Sequence, residues 1–173
     1  MIRTNREAVD SRPSPGRAVA RMELLTPTDC FYYLITRATL VATSVLKKEL
    51  AAAGVRRVKP AYLGVLMTLW NRDGLGAVDL GRRAGLEPST MTGLLDRMER
   101  DGIVVRRSDP TDRRAHRICL TKDGKRFRQP VLEVVDQTLA KATKGFSGAE
   151  LASMKEGLRR FLINMQEERR SNA

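Results

Sequence analysis

The chain has 173 residues and a formal net charge of +12, from 32 Lys and Arg against 20 Asp and Glu, with a single histidine. That length holds one domain with a real core, or a small binding domain plus helices that need a partner. The basic balance favours a polyanion (DNA, RNA or an anionic membrane) and argues against a neutral-surface enzyme. Cys30 and Cys119 make neither a disulfide framework nor a metal-ligand spacing, and no run approaches the roughly 20 apolar residues of a membrane span, so a cytoplasmic protein with no metal, no cofactor and no membrane partner is expected.

Residues 1–25 mix arginines with Pro13, Ser14, Pro15 and Gly16 and show no sustained apolar period, which predicts a flexible basic tail. Residues 26–58 read as an N-terminal dimerisation helix. Thr26-Pro27-Thr28-Asp29 has the ingredients of a helix start, and Phe31, Leu34, Ile35, Ala38, Val41, Val45, Leu46 and Leu50 recur at helical spacing until Gly54.

Within residues 59–121 a second helix follows Pro60 with Tyr62, Val65, Leu66, Leu69 and Trp70 on its apolar side. A short helix over 78–84 ends at Gly85, which supplies the sharp turn into a helix over 88–100. There Met91, Leu94, Leu95 and Met98 form an apolar stripe, leaving Ser89, Thr90, Thr92, Gly93 and Arg97 on the opposite face. Gly102 closes that helix, Ile103-Val104-Val105 opens an outgoing strand, and Ile118 and Leu120 anchor a returning one. Between them Asp109-Pro110 makes a turn among Arg106, Arg107, Arg113, Arg114 and Arg117, so the hairpin carries a cluster of guanidinium groups suited to phosphate.

Residues 122–169 read as C-terminal dimerisation helices. The first carries Phe127, Val131, Val134, Val135 and Leu139, with Pro130 expected to bend it; the second opens on the capping box Ser147-Gly148-Ala149-Glu150 and carries Met154, Leu158, Phe161, Leu162 and Met165. Four helices, two strands and two helices make a mainly α chain with a small β-hairpin: a winged helix-turn-helix core, residues 59–121, flanked by N- and C-terminal helices whose wide apolar stripes so small a core cannot bury alone. A hydroxyl-faced helix beside an arginine-rich hairpin suits entry into a DNA major groove while the wing grips the backbone. An enzyme with a basic cleft is the competing class, but the chain lacks a Gly-rich phosphate loop, a metal-ligand cluster and an acid/base pair, His116 being its lone imidazole. An architectural protein that binds other proteins through the same helices is a third class.

Asp112-x-Arg114 followed after five residues by Leu120-Thr121, together with Thr90-Met91-Thr92-Gly93-Leu94-Leu95-Asp96-Arg97-Met98-Glu99 and Asp101-Gly102-Ile103-Val104, resembles the MarR (multiple antibiotic resistance regulator) family over about residues 28 to 168. The resemblance implies a homodimeric repressor on a palindromic operator in double-stranded DNA, with Ser89, Thr90, Thr92, Gly93 and Arg97 near the major groove. It also implies Arg113 and Arg114 in the minor groove, Asp112 orienting Arg114, and Arg106, Arg107 and Arg117 on phosphate. Gly93 departs from the arginine of many relatives. The implied effector crevice holds Phe31, Tyr32, Ile35, Tyr62, Leu66, Trp70 and Phe127 and suits a small phenolic or aromatic ligand. The alternative is oxidant sensing by Cys30, since Cys30-Phe31 resembles the sensing cysteine of the family's organic-hydroperoxide repressors, although Leu34 stands where that branch has a tyrosine.

Overall fold

The computed structural model describes residues 26–110, 112 and 115–171. The chain divides into two compact units, residues 1–42 and 43–173, and the division falls inside the first long helix, α1 (Phe31–Ala52). Thr26 Oγ1 donates to Asp29 Oδ2 at 2.6 Å, yet the expected helix start yields only a 3-10 turn, Pro27–Asp29. Cys30 then takes an extended conformation, its N–H bonding back to Pro27 O, so the α-helix begins at Phe31. The expected basic tail lies outside the described residues.

In the 43–173 unit the order is α2 (Leu63–Asn71), β1 (Leu75–Gly76), α3 (Ala77–Ala84), α4 (Pro88–Arg100), β2 (Val104–Ser108), β3 (His116–Leu120), α5 (Lys122–Arg126), α6 (Arg128–Ala142) and α7 (Gly148–Ser171). Val65, Leu66 and Leu69 of α2, Leu80 of α3, and Met91, Leu94, Leu95 and Met98 of α4 are buried together with Ile103, Ile118 and Val131. Each such side chain contributes about 1.5–3 kcal/mol relative to exposure. The helical apolar spacing read from the sequence is therefore the core.

Two turns set the helix-turn-helix. Gly85 sits at φ +68° and closes α3, and Leu86 N–H donates to Gly81 O at 2.8 Å. Gly81 itself lets α4 approach: a Cβ there would lie 2.9 Å from Met91 Cγ. Helix α4 ends in a Schellman motif, with Gly102 at φ +70°, Gly102 N–H donating to Glu99 O and Ile103 N–H to Met98 O, both at 2.9 Å. That closure launches β2 directly from α4.

The sheet is antiparallel in the order β1-β3-β2, with Val104 opposite Leu120, Arg106 opposite Ile118 and Arg107 opposite Arg117. The two-residue β1, pairing Leu75 with Ile118, escaped the sequence reading because it is too short to show an alternation. Thr121 caps α5, its Oγ1 accepting from Gly124 N–H at 3.0 Å. The single bent helix expected around Pro130 is instead two helices meeting at Phe127. Pro130 is the third residue of α6, where the N–H it lacks has no acceptor within that helix. Ser147 and Glu150 form the expected capping box, Ser147 N–H and Oγ–H both donating to Glu150 Oε2 at 2.7 Å.

Candidate nucleic-acid interface

Helix α4 buries one face completely and leaves the other bare. Ser89, Thr90, Thr92 and Arg97 are exposed and Gly93 is half-buried, on the side opposite Met91, Leu94, Leu95 and Met98. Thr92 Oγ1 donates to Pro88 O at 3.3 Å, which leaves its lone pairs outward. A Cβ on Gly93 would lie 3.5 Å from Arg97 Nη1, so the Arg97 guanidinium lies along the strip that the missing side chain vacates. The result is a hydroxyl-lined helical ridge crossed by the Arg97 guanidinium.

The strand alternation sorts the wing arginines. Val104, Arg106 and Ser108 of β2 share a sheet face with buried Ile118 and Leu120 of β3, whereas Arg107 and Arg117 share the other. Arg107 is exposed. Arg117, directly opposite it, is held by Asp109, with Nε to Oδ2 at 2.7 Å and Nη2 to Oδ1 at 3.4 Å. Asp109 also holds the Arg117 guanidinium firmly charged, its pKa raised first by that hydrogen bond. Arg106 points the other way, onto α4. Its Nη2 donates to Asp96 Oδ1 at 2.6 Å, its Nη1 to Glu99 Oε2, and its backbone N–H to Glu99 Oε1 at 3.0 Å. Its pKa is raised above the ordinary value, first by the Asp96 hydrogen bond and further by that to Glu99.

At the tip, Asp109 N–H donates to Ala115 O and Ala115 N–H to Asp112 O, each at 3.0 Å, which closes the turn. Asp112 is exposed. Arg113 and Arg114, the sequence's strongest minor-groove candidates, lie outside the described residues. An open cleft of about 480 Å³ runs beside the ridge, lined by Ala77, Val78, Thr92, Leu95 and His116. Val78, 82% exposed at the start of α3, lies off the packing face that the apolar spacing of the 78–84 helix marks. On the same helix Asp79 pairs with Arg82 and, at 3.2 Å, with Arg83, whose hydrogen bond is the first cause of its lowered pKa.

Of the residues expected to line the effector crevice, three are packed into the interior of the 43–173 unit. Tyr62 and Leu66 are buried in the core, and Phe127 is buried with the Arg57 and Arg126 guanidiniums 5.3 and 5.6 Å from its ring centre. Tyr62 O–H donates to Asp101 Oδ2 at 2.7 Å, and burial with that bond pushes its pKa up to about 12. These side chains are consumed by packing because an aromatic stripe on a helix satisfies the core first. Trp70 is half-buried, donates through Nε1 to Gly124 O at 2.9 Å, and lines a cleft of about 290 Å³ with Leu69, Asp73, Lys125 and Arg128. In the 1–42 unit Phe31 and Tyr32 are exposed, and Ile35 and Cys30 half-buried, Cys30 as a free thiol. Among the described residues no helix is long and apolar enough to cross a membrane, and no cluster of His, Cys, Asp and Glu could hold a metal ion.

A profile described as the MarR family matches residues 60–116. The chain carries a MarR-family domain. That domain spans α2, the helix-turn-helix, β2 and the wing tip. The chain is 29% identical over 108 residues to the organic hydroperoxide resistance transcriptional regulator of Bacillus subtilis, covering 62% of this chain and 71% of that protein. Over other curated regulators the match spans 33% to 65% of their length. Among solved structures, a MarR-family regulator from Silicibacter pomeroyi superposes with a TM-score of 0.60 at 27% identity, covering 80% of this chain and 92% of that one. The repressor CouR of Rhodococcus jostii, bound to a 23-mer DNA duplex, superposes with a TM-score of 0.68 at 20% identity, covering 81% and 97%. The winged helix-turn-helix fold of this MarR domain is shared with both.

Proposed function

We propose that this MarR-family transcriptional regulator is a homodimeric repressor that binds a palindromic operator and is released by a small aromatic or phenolic ligand. The observation that carries the DNA reading is the bare face of α4, where Ser89, Thr90, Thr92 and Arg97 stand exposed over a wholly buried stripe. Arg107 and Arg117 take phosphate at the wing, and Arg113 and Arg114, oriented by Asp112, take the minor groove. The dimer is supported by α7, none of whose residues is buried: Met154, Leu158, Leu162 and Met165 recur on one face and are 41–57% exposed. The Trp70 cleft, with Lys125 and Arg128 at its edge, offers an aromatic surface and two cations to an aromatic carboxylate.

The test is selection of duplexes by the purified protein from a random pool, footprinting of the winner, and sedimentation of the free protein. A twofold-symmetric footprint from a dimer, with affinity falling by orders of magnitude between low and moderate salt, is expected. A monomer, or protection without symmetry, overturns the proposal. Binding of the aromatic ligand is tested by thermal shift across aromatic acids and their thioesters, one of which must raise the melting temperature.

Cys30 supports a second reading, in which an oxidant replaces the ligand. Its thiol is half-buried and free immediately before α1, and the Bacillus subtilis relative is an organic hydroperoxide resistance regulator. Peroxide should then abolish operator binding by wild type and leave Cys30→Ser bound; equal behaviour of the two excludes it.

A further inference from the structure

Arg106 lies in the arginine-rich wing, but its geometry is that of a strut. It sits on the sheet face that carries Ile118 and Leu120, its side chain is only 30% exposed, and three of its donors are spent on two carboxylates of α4. Glu99 receives both the backbone N–H and one arm of the guanidinium, and Asp96, one turn earlier, receives the other arm. The same strand residue is thus tied to α4 through main chain and side chain, a few residues beyond the Gly102 turn that joins the two elements. A planar fork with two acceptors fixes direction as well as distance.

We propose that Arg106 is a positioning residue that sets the angle between the wing and the recognition helix, with Asp96 and Glu99 as its anchors, and that it contacts no phosphate. The inference rests on the DNA-binding reading above. It explains an otherwise unfavourable feature: Asp96, 59% exposed, places a negative charge beside Arg97 on the helix meant for a polyanion. If electrostatic attraction alone mattered, removing these acids would strengthen binding. The clamp requires the opposite sign, because freeing Arg106 lets the wing swing away from its groove.

The experiment measures affinity, its salt dependence and hydroxyl-radical protection on a duplex selected by the wild type. Asp96→Asn with Glu99→Gln is expected to weaken binding about tenfold at unchanged salt slope, an effect of the size of one charge-assisted hydrogen bond. Protection should disappear on the flanks gripped by the wing and persist over the half-site centres. Arg106→Lys, which keeps the charge and loses the fork, should behave like the acid variants. Asp96→Asn alone changes an exposed side chain in a helix that stays folded, so a stability loss cannot mimic the result. Tighter or unchanged binding by the acid variants, or a salt slope that drops by about one per protomer in Arg106→Gln, overturns the clamp and makes Arg106 a phosphate contact. A wild type that selects no duplex overturns the DNA reading and the clamp together.

Discussion

Gly124 is where the wing is rooted, and replacing it with alanine should damage the fold more than any other glycine-to-alanine change in an ordinary backbone conformation. An added Cβ would lie 2.2 Å from Ile103 O and 3.2 Å from both Ile103 C and Leu120 Cδ2, against an ordinary contact distance of at least 3.4 Å. The obstructing atom is a backbone carbonyl, so no rotamer change relieves it. Ile103 O also accepts from Thr121 N–H at 3.1 Å and from Thr121 Oγ1 at 3.2 Å, and Thr121 Oγ1 in turn accepts from Gly124 N–H. A shift of the carbonyl therefore loosens the junction of β2, β3 and α5 together. Overpacking costs about 1–3 kcal/mol and a weakened hydrogen bond about 1 kcal/mol, so Gly124→Ala should lose about 3 kcal/mol. For a chain of this size that is roughly a 10 °C fall in melting temperature, read by circular dichroism. Gly64→Ala is the control: its Cβ would meet Ala84 O at an ordinary 3.4 Å, so it should gain about 0.5–1 kcal/mol of helix propensity. Equal melting temperatures for Gly124→Ala and wild type would falsify the steric argument.

Three further outcomes follow from the hydrogen bonds. Tyr62→Phe leaves Asp101 Oδ2 without the phenol and should cost about 1–2 kcal/mol in denaturant unfolding at neutral pH. Because the folded Tyr62 pKa of about 12 exceeds the unfolded value near 10, its contribution is whole below pH 10 and disappears as pH rises through 12; a spectroscopic titration in which all three tyrosines share one midpoint near pH 10 contradicts the burial. Glu150 titrates below its ordinary value, first because Ser147 N–H donates to it and then because the Ser147 hydroxyl does. Its contribution is present above the unfolded pKa of about 4.3 and lost as pH falls through the lower folded one, so Glu150→Gln should be less stable than wild type at pH 7 and equal to it in strong acid. A gap that does not close on acidification contradicts the capping role.

Much of the site was legible because period and punctuation act locally. The 3.6-residue spacing of Met91, Leu94, Leu95 and Met98 specifies which face of α4 is buried, and hence that Ser89, Thr90, Thr92 and Arg97 are left outside. Gly85 and Gly102 mark left-handed turns that almost only glycine fills cheaply. The wing arginines were less legible. They read as one cationic cluster, and the two-residue strand period that separates Arg106 from Arg107 and Arg117 takes effect only once the register of β2 on β3 is known. The aromatic residues were ambiguous for a related reason: Tyr62, Leu66 and Phe127 have the chemistry of a ligand pocket and equally that of a core, and burial of apolar area draws such side chains inward.

By itself the amino-acid order determined most of the helices and the two longer strands, the buried stripe of α4, the capping of α7 and the basic character of the hairpin, all of which depend on neighbours within a few residues. The tertiary structure decided what sequence distance conceals: that Arg106 is tied to Asp96 and Glu99, that Asp109 pairs with Arg117, that Tyr62 reaches Asp101 across 39 positions, and that Gly124 admits the Ile103 carbonyl. Ion pairs and close backbone approaches depend on ångström-scale geometry between separate elements, and residue type alone specifies only that such a partner is needed.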